Sequence, residues 1–285
     1  MRLGVITDEV SQDFREALEF AKKFNLNCVE LRSAWEKGPF DYTNEDIKKI
    51  KSLSDEYKIP VTAVSSPMYK CEYNAENIAK NQESFKKLLE YTCALGANKI
   101  RCFDFFKNND ITSDMIIEAY QIPYELCEKA GVTIAIESEP TTNSQCCKDI
   151  AQLVTAFNKP YFKALYDPGN NIYCTDEIPY PDGFEFIKDI FCHVHIKDAV
   201  RTPDGTVGEC VGKGSVDYEG LFRRLHTIGY NGDVMLETHY RIPGTIKLDD
   251  ATLANPKGSA ISENGYEASC VCMQELQNII KRCKG

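Results

Sequence analysis

Several things are missing from this sequence, and each absence removes a class of protein. No run of about 18 apolar residues, the length a spanning helix needs, occurs in its 285 residues. The opening stretch, MRLGVITDEV, moves straight into an apolar run with no signal-peptide h-region. Basic residues form no cluster: Lys86-Lys87 and Arg223-Arg224 are isolated pairs on helical patterns, the usual look of solvated faces. With 33 basic against 43 acidic residues the formal charge is −10, a poor match to the cationic contacts that dominate nucleic-acid binding. There is no CxxC pair, and Cys146-Cys147 and Cys270-x-Cys272 do not have zinc-ligand spacing. The 13 cysteines, an odd number, sit mostly inside apolar runs such as those holding Cys28, Cys102 and Cys192. Free cysteine packs as a small hydrophobe, so they read as reduced thiols in a soluble, cytoplasmic protein. No glycine-rich turn follows the first apolar run, where Thr7-Asp8-Glu9-Val10 stands instead. That argues against a doubly wound dinucleotide-binding sheet. Gly208, Gly212 and Gly214 around Lys213 do not have phosphate-loop spacing.

What is present is an alternation. Short apolar runs, rich in β-branched residues, occupy 3–6, 28–31, 61–64, 100–103, 132–136, 162–166, 191–196 and 234–236, and most end in a polar residue. Continuous apolar runs suit parallel strands buried on both faces. Between them lie helical stripes, such as Phe14, Leu18, Ala21, Phe24 and Tyr218, Leu221, Phe222, Leu225, Ile228. Met273, Leu276, Ile279 and Ile280 give the last helix its buried face. Thr43 with Asp46 predicts a capping box. Eight strand–helix units, starting roughly 25 to 43 residues apart, predict one α/β domain over 1–285, a (β/α)8 TIM barrel. A stretch of little periodicity at about 238–264, containing Pro243, Gly244, Pro256 and Gly258, reads as a long loop insertion. It is either a lid or a plain surface excursion.

In a barrel the active site gathers at the carboxyl ends of the strands. There the fifth to eighth strands deliver Glu137, Asp167, His195 and Glu237. Three converging carboxylates repel one another, and burying unpaired charge costs several kcal/mol. One divalent cation resolves this, and carboxylates with an imidazole suit Mn²⁺, Mg²⁺, Co²⁺ or Fe²⁺. His193 and His195, two apart, face the same way. His195 lies nearer the mouth and is the preferred ligand, with His193 either a core histidine or a supporting partner. Other strand ends carry Glu30 and Arg32, Ser66 and Lys70, and Arg101 and Asp104. Lys70 and Arg101 there suggest an anionic or polyhydroxylated ligand, unless they pair with neighbouring acids. Glu9, Glu30 and the sole tryptophan, Trp35, are candidates to shape the pocket, Trp35 by stacking on a ligand or by ordinary packing. Phe105 and Phe106 offer a contact for a homo-oligomer.

The segments GVTIAIESEP (131–140), ALYDPGN (164–170), HVHIKD (193–198), GKGSVDYEGLFRRLHTIGYNG (212–232) and VMLETHY (234–240) resemble the xylose-isomerase-like barrel superfamily, in its sugar and sugar-phosphate isomerase/epimerase branch. The resemblance covers nearly the whole chain. It implies that Glu137, Asp167, His195 and Glu237 hold one metal ion, Mn²⁺ first and Mg²⁺, Co²⁺, Fe²⁺ or Zn²⁺ as alternatives. It also implies that Glu137 and Glu237 exchange protons with an open-chain sugar. In the similar ketose 3-epimerases an arginine six residues after the metal histidine meets substrate, and Arg201 has that place. The histidine three residues after the metal aspartate is here Asn170, and the glutamate six after the first metal glutamate is Asn143; both depart from that activity. Arg201, Asn170, Lys70, Arg101, Glu30 and His193 are thus the candidate substrate-binding residues. Three rivals stand beside an isomerase. A lyase resembling the inosose dehydratases would use the same metal. A phosphodiesterase resembling endonuclease IV needs a three-zinc cluster, for which four histidines (His193, His195, His226, His239) are few. A barrel that only binds sugar has no need of two flanking carboxylates.

Overall fold

The computed structural model describes residues 1–174, 176–245, 248, 252, 256 and 258–283. Among the described residues ten strands form: β1 Arg2–Ile6, β2 Cys28–Leu31, β3 Val61–Ser65, β4 Lys99–Cys102, β5 Thr133–Glu137, β6 Phe162–Tyr166, β7 Phe191–Ile196, β8 Asp198–Thr202, β9 Gly205–Glu209 and β10 Asp233–Leu236. Eight of them close a parallel barrel in the order β1-β10-β7-β6-β5-β4-β3-β2, while β8 and β9 pair with each other as an antiparallel hairpin. The molecule is thus a single-domain (β/α)8 TIM barrel. The eight barrel strands are those expected from the apolar runs. The hairpin is not, because beyond buried Asp198 and Ala199 its residues are exposed or half-buried and show no apolar alternation.

Register decides which side chains enter the barrel. Glu137 pairs with Leu165, Leu165 with His193, and His195 with Met235. Side chains alternate with period two, so Glu137, Asp167, His195 and Glu237 share one parity. They form a staggered row along the inner mouth, as strand tilt requires. Deeper in, Ile6, Cys28 and Met235 form a small inner cluster. At the opposite end Asp233 takes Lys99 Nζ at 3.0 Å and Arg2 Nε at 2.6 Å.

The outer layer is α1 Phe14–Lys23, α2 Asn44–Tyr57, α3 Ala75–Leu95, α4 Ser113–Ala130, α5 Cys147–Phe157, α6 Pro168–Cys174, α7 Phe184–Ile187, α8 Tyr218–Thr227, α9 Gly258–Ser262 and α10 Gly265–Cys283. The Thr43–Asp46 capping box opens α2 as expected. Pro123 lies inside α4, where it withdraws the N–H that Ala119 O would accept. Tyr69 Oη, at 2.7 Å, and Gln82 Nε2, at 3.0 Å, donate to that carbonyl instead. Phe105, expected at a subunit contact, is fully buried, stacked on Tyr69 with centroids 4.3 Å apart. A positive φ of 70° at Phe105 turns its ring inward. Trp35 packs edge-on to Phe14, with Lys49 Nζ 3.9 Å from its ring centroid, which is its packing role. Of the 238–264 insertion, much of 246–257 lies outside the described residues; Gly258–Ser262 forms α9, whose Ser262 Oγ donates to Asp8 O at 2.6 Å.

Candidate metal centre

The four predicted ligands meet. One donor atom from each of Glu137, Asp167, His195 and Glu237 lies within 4.8 Å of the others, and all four residues are buried. His195 turns Nδ1 toward the acids, 2.9 Å from Glu137 Oε1, 3.2 Å from Glu237 Oε2 and 3.9 Å from Asp167 Oδ2. Its Nε2 lies 3.1 Å from Glu30 Oε2. A proton on Nε2, donated to Glu30, leaves the Nδ1 lone pair facing the carboxylates, the tautomer a metal ligand requires.

Glu30 and His193, expected at the substrate, meet each other inside the barrel. Glu30 is fully buried, with Ser65 Oγ on Oε1, and with His193 Nε2 (2.6 Å) and His195 Nε2 on Oε2. Every oxygen of Glu30 is thus engaged with protein, and its role is to hold the two imidazoles. Asn170 caps Asp167 through its backbone N–H (3.0 Å), donates Nδ2 to Ser138 O, and accepts from Lys197 Nζ at 3.1 Å. Arg101 reaches the site, its Nη1 3.2 Å from Glu137 Oε2. Lys70 Nζ lies 3.2 Å from Glu139 Oε1. Arg201, on the hairpin, is half exposed; its Nε donates to Ile172 O and its Nη1 pairs with Asp176 at 2.7 Å. Here it does not touch the acid cluster.

Two residues at the centre were not singled out from sequence. Lys197 Nζ lies 2.9 Å from Asp167 Oδ2 and 2.8 Å from Glu237 Oε2. Its position was legible: 193, 195 and 197 share the inward parity of β7. Gly169 makes room for it, because a Cβ there would stand 2.1 Å from Lys197 Cγ and 2.5 Å from its carbonyl oxygen. His239 Nε2 lies 3.3 Å from Glu237 Oε1. Arg32, noted at the mouth, forks among three acids: Nε to Asp8 (3.1 Å), Nη2 to Glu9 (2.5 Å) and Nη1 to Glu237 (2.7 Å). Beside Lys197, Asp198 accepts the backbone N–H groups of Gly212, Gly214 and Val216, which fixes the glycine turn as structure.

The ionisation pattern records crowding. Burial pushes Asp167 up to about 7, and Glu137 and Glu237 add to it, against Lys197 and His195. Burial also acts on Glu137, but the charges of His195 and Arg101 outweigh it and hold it at about 2. Glu237 is held well below the carboxylate range, burial being overcome by Lys197, His195 and His239. Buried acids Asp8, Glu9, Glu30, Glu137, Asp167 and Glu237 outnumber the buried cations Arg32, Arg101, Lys197 and Arg241 around them. Asp167 Oδ2 and Glu237 Oε2 accept no well-directed hydrogen bond despite the nearby ammonium. Three carboxylates and one imidazole nitrogen converging under those conditions fit a divalent ion with mixed oxygen and nitrogen ligands.

A family model described as xylose isomerase-like TIM barrel matches residues 18–263. The solved structure of a D-allulose 3-epimerase from Methylomonas sp. in complex with D-allulose is similar, at 17% identity and a TM-score of 0.76, over 99% of this chain and 97% of that one. A xylose isomerase domain protein from Planctomyces limnophilus matches at 16% identity and a TM-score of 0.75, over 99% and 98%. The IOLI protein with a binding zinc atom matches at 17% identity and a TM-score of 0.74, over 99% of both chains. What these structures share with the chain is the fold.

Proposed function

The chain belongs to the xylose isomerase-like TIM-barrel family, and on that premise we propose that it is a metal-dependent isomerase or epimerase of open-chain sugars or sugar phosphates. The observation that carries this reading is the buried convergence of Glu137, Asp167, His195 and Glu237 within 4.8 Å. Similar folds in complex with D-allulose and with a zinc atom support it by analogy.

Glu137, Asp167, His195 and Glu237 would hold a divalent ion, which when bound would supply Lewis acidity that acidifies the proton on the hydroxyl-bearing carbon next to a sugar carbonyl. The proton carriers are Glu137 and Glu237, which enter from β5 and from the end of β10, with β6 and β7 between them in the wall. Arg101 beside Glu137 and Lys197 beside Glu237 favour the carboxylate forms, so either accepts a proton from carbon. Positioned transfer of this kind contributes about 10²–10⁴-fold. Return of the proton to the other face of the same carbon gives epimerisation; return to the adjacent carbon gives isomerisation. Arg32 and Arg101 hold the outer oxygens of the two carboxylates and so aim them.

The test is solvent-deuterium exchange into carbon-bound positions of a panel of ketoses, aldoses and their phosphates, followed by NMR. Wild-type protein loaded with Mn²⁺ incorporates deuterium, and Glu137→Gln and Glu237→Gln each abolish incorporation while keeping the native circular dichroism spectrum. Near-normal exchange in either variant removes that glutamate from the mechanism. Loss of water from an inosose-like polyol without exchange assigns the site to a lyase.

A further inference from the structure

A cavity of about 370 Å³ opens beside the acid cluster, between the loops that follow β2, β3 and β4. Sites for small molecules run about 300–1,000 Å³. Its inner wall is shared with the candidate centre, because Arg32 and Arg101 line it while touching Glu237 and Glu137. A molecule filling the cavity therefore touches the two arginines that pair with the proposed proton carriers. Its outer wall carries Lys70, Lys80 and Ser84, the last two one helical turn apart on α3.

The hydroxyls of Ser33, Ser65 and Ser84 share that wall, but its charge is one-sided. Arg32, Lys70, Lys80 and Arg101 line the cavity against one acid, Asp41, among the described residues, and Asp41 Oδ2 already accepts Gly38 N–H at 3.3 Å. Lys80 forms no ion pair among the described residues. Lys70 is nearly buried, 4.9 Å from the Phe103 ring centroid. Burial pulls its ammonium below the ordinary lysine value, against the charge of Glu139 beside it. Serine hydroxyls serve a neutral sugar, which both donates and accepts, and such a ligand does not call for the excess of cations. A wall of lysine and arginine donors matches the oxygens of a phosphate or carboxylate.

We infer that this cavity is a subsite for an anionic terminal group, so that the substrate is a sugar bearing a phosphate or a carboxylate at the end away from the reacting carbons. This rests on the isomerase reading above. Lys70 and Lys80 are the specificity-determining cations, and Arg101 joins the subsite to Glu137.

Isothermal titration of the full-length Mn²⁺-loaded protein with a free ketohexose, its terminal phosphate ester and the matching ketohexuronate tests the inference. One anionic probe binds at least roughly tenfold more tightly than the free sugar, a difference of about 1.4 kcal/mol. Which probe it is distinguishes phosphate from carboxylate. In Lys70→Met/Lys80→Met the ratio of the two dissociation constants falls toward one. Lys80→Met alone, on an exposed helix face, lowers it at least about threefold and guards against misfolding of the double variant. Equal behaviour of the three probes, including no binding of any, overturns the inference, as does a preference that survives both substitutions. Deuterium exchange on the same samples separates the two levels. Anionic preference without exchange refutes the isomerase reading alone, and exchange without preference refutes the subsite alone.

Discussion

His195 Nε2 lies 3.1 Å from Glu30 Oε2, on the ring edge away from Glu137. The same oxygen takes His193 Nε2 at 2.6 Å, so one buried carboxylate orients both imidazoles. Partners behind a metal-bound histidine typically account for 10–100-fold in metal affinity. Glu30→Ala is expected to weaken Mn²⁺ binding by about that factor, with the four ligands intact. A metal titration giving an unchanged dissociation constant would show that Glu30 does not serve His195.

Arg32 is the buried cation common to Asp8, Glu9 and Glu237. Removing one member of a buried ionic group leaves its partners uncompensated, at a cost of about 3–5 kcal/mol. Arg32→Met should lower the stability measured by urea unfolding by about that much. Arg32→Lys should recover only part, because an ammonium cannot fork among three acids. Full stability of Arg32→Met would mean that the acids are protonated or repaired by neighbours.

Phe105 belongs to the aromatic cluster with Tyr69 and Tyr73, at centroid distances of 4.3 and 4.9 Å. Phe105→Ala is expected to cost about 3–5 kcal/mol of stability and to leave the sedimentation coefficient of the native protein unchanged. A change in oligomeric state with stability retained would return Phe105 to the surface contact suggested by its loop position.

Asp46 couples the α2 capping box to Lys37, which lies 2.7 Å away. Slight burial pushes its carboxyl up, but hydrogen bonds from Lys37 and Thr43 outweigh this and hold it at about 2. Its unfolded value is near the ordinary aspartate 3.8. Because the folded value is the lower one, the stabilisation is complete above about pH 4 and is lost as pH falls toward 2. Asp46→Asn should therefore be less stable than wild type by about 1 kcal/mol at neutral pH. The gap between their urea midpoints should close between pH 4 and 2. A pH-independent difference would assign the loss to helix capping alone.

The barrel and the convergence of the four candidate ligands were legible in the sequence for one reason. Strand ends at a barrel mouth are where polar residues interrupt apolar runs, and Glu137, Asp167, His195 and Glu237 each do so. What escaped depends on register and rotamer rather than pattern. Glu30 stands at a strand end like a site residue, yet its oxygens are spent on Ser65, His193 and His195. Lys197 was legible but passed over: it lies just past the end of β7, and its parity with His195 points it inward. The β8–β9 hairpin carries Arg201 to Ile172 and Asp176, a placement no spacing rule reports. Phe105 reads as an exposed loop aromatic until its positive φ turns it into the core.

The most direct test is elemental analysis of protein purified without chelator, beside Glu237→Ala. The account predicts about one equivalent of a divalent ion per chain, Mn, Co, Fe, Mg or Zn, lost in the variant. No metal in the wild type even after incubation with Mn²⁺, or close to three zinc ions per chain, would contradict it.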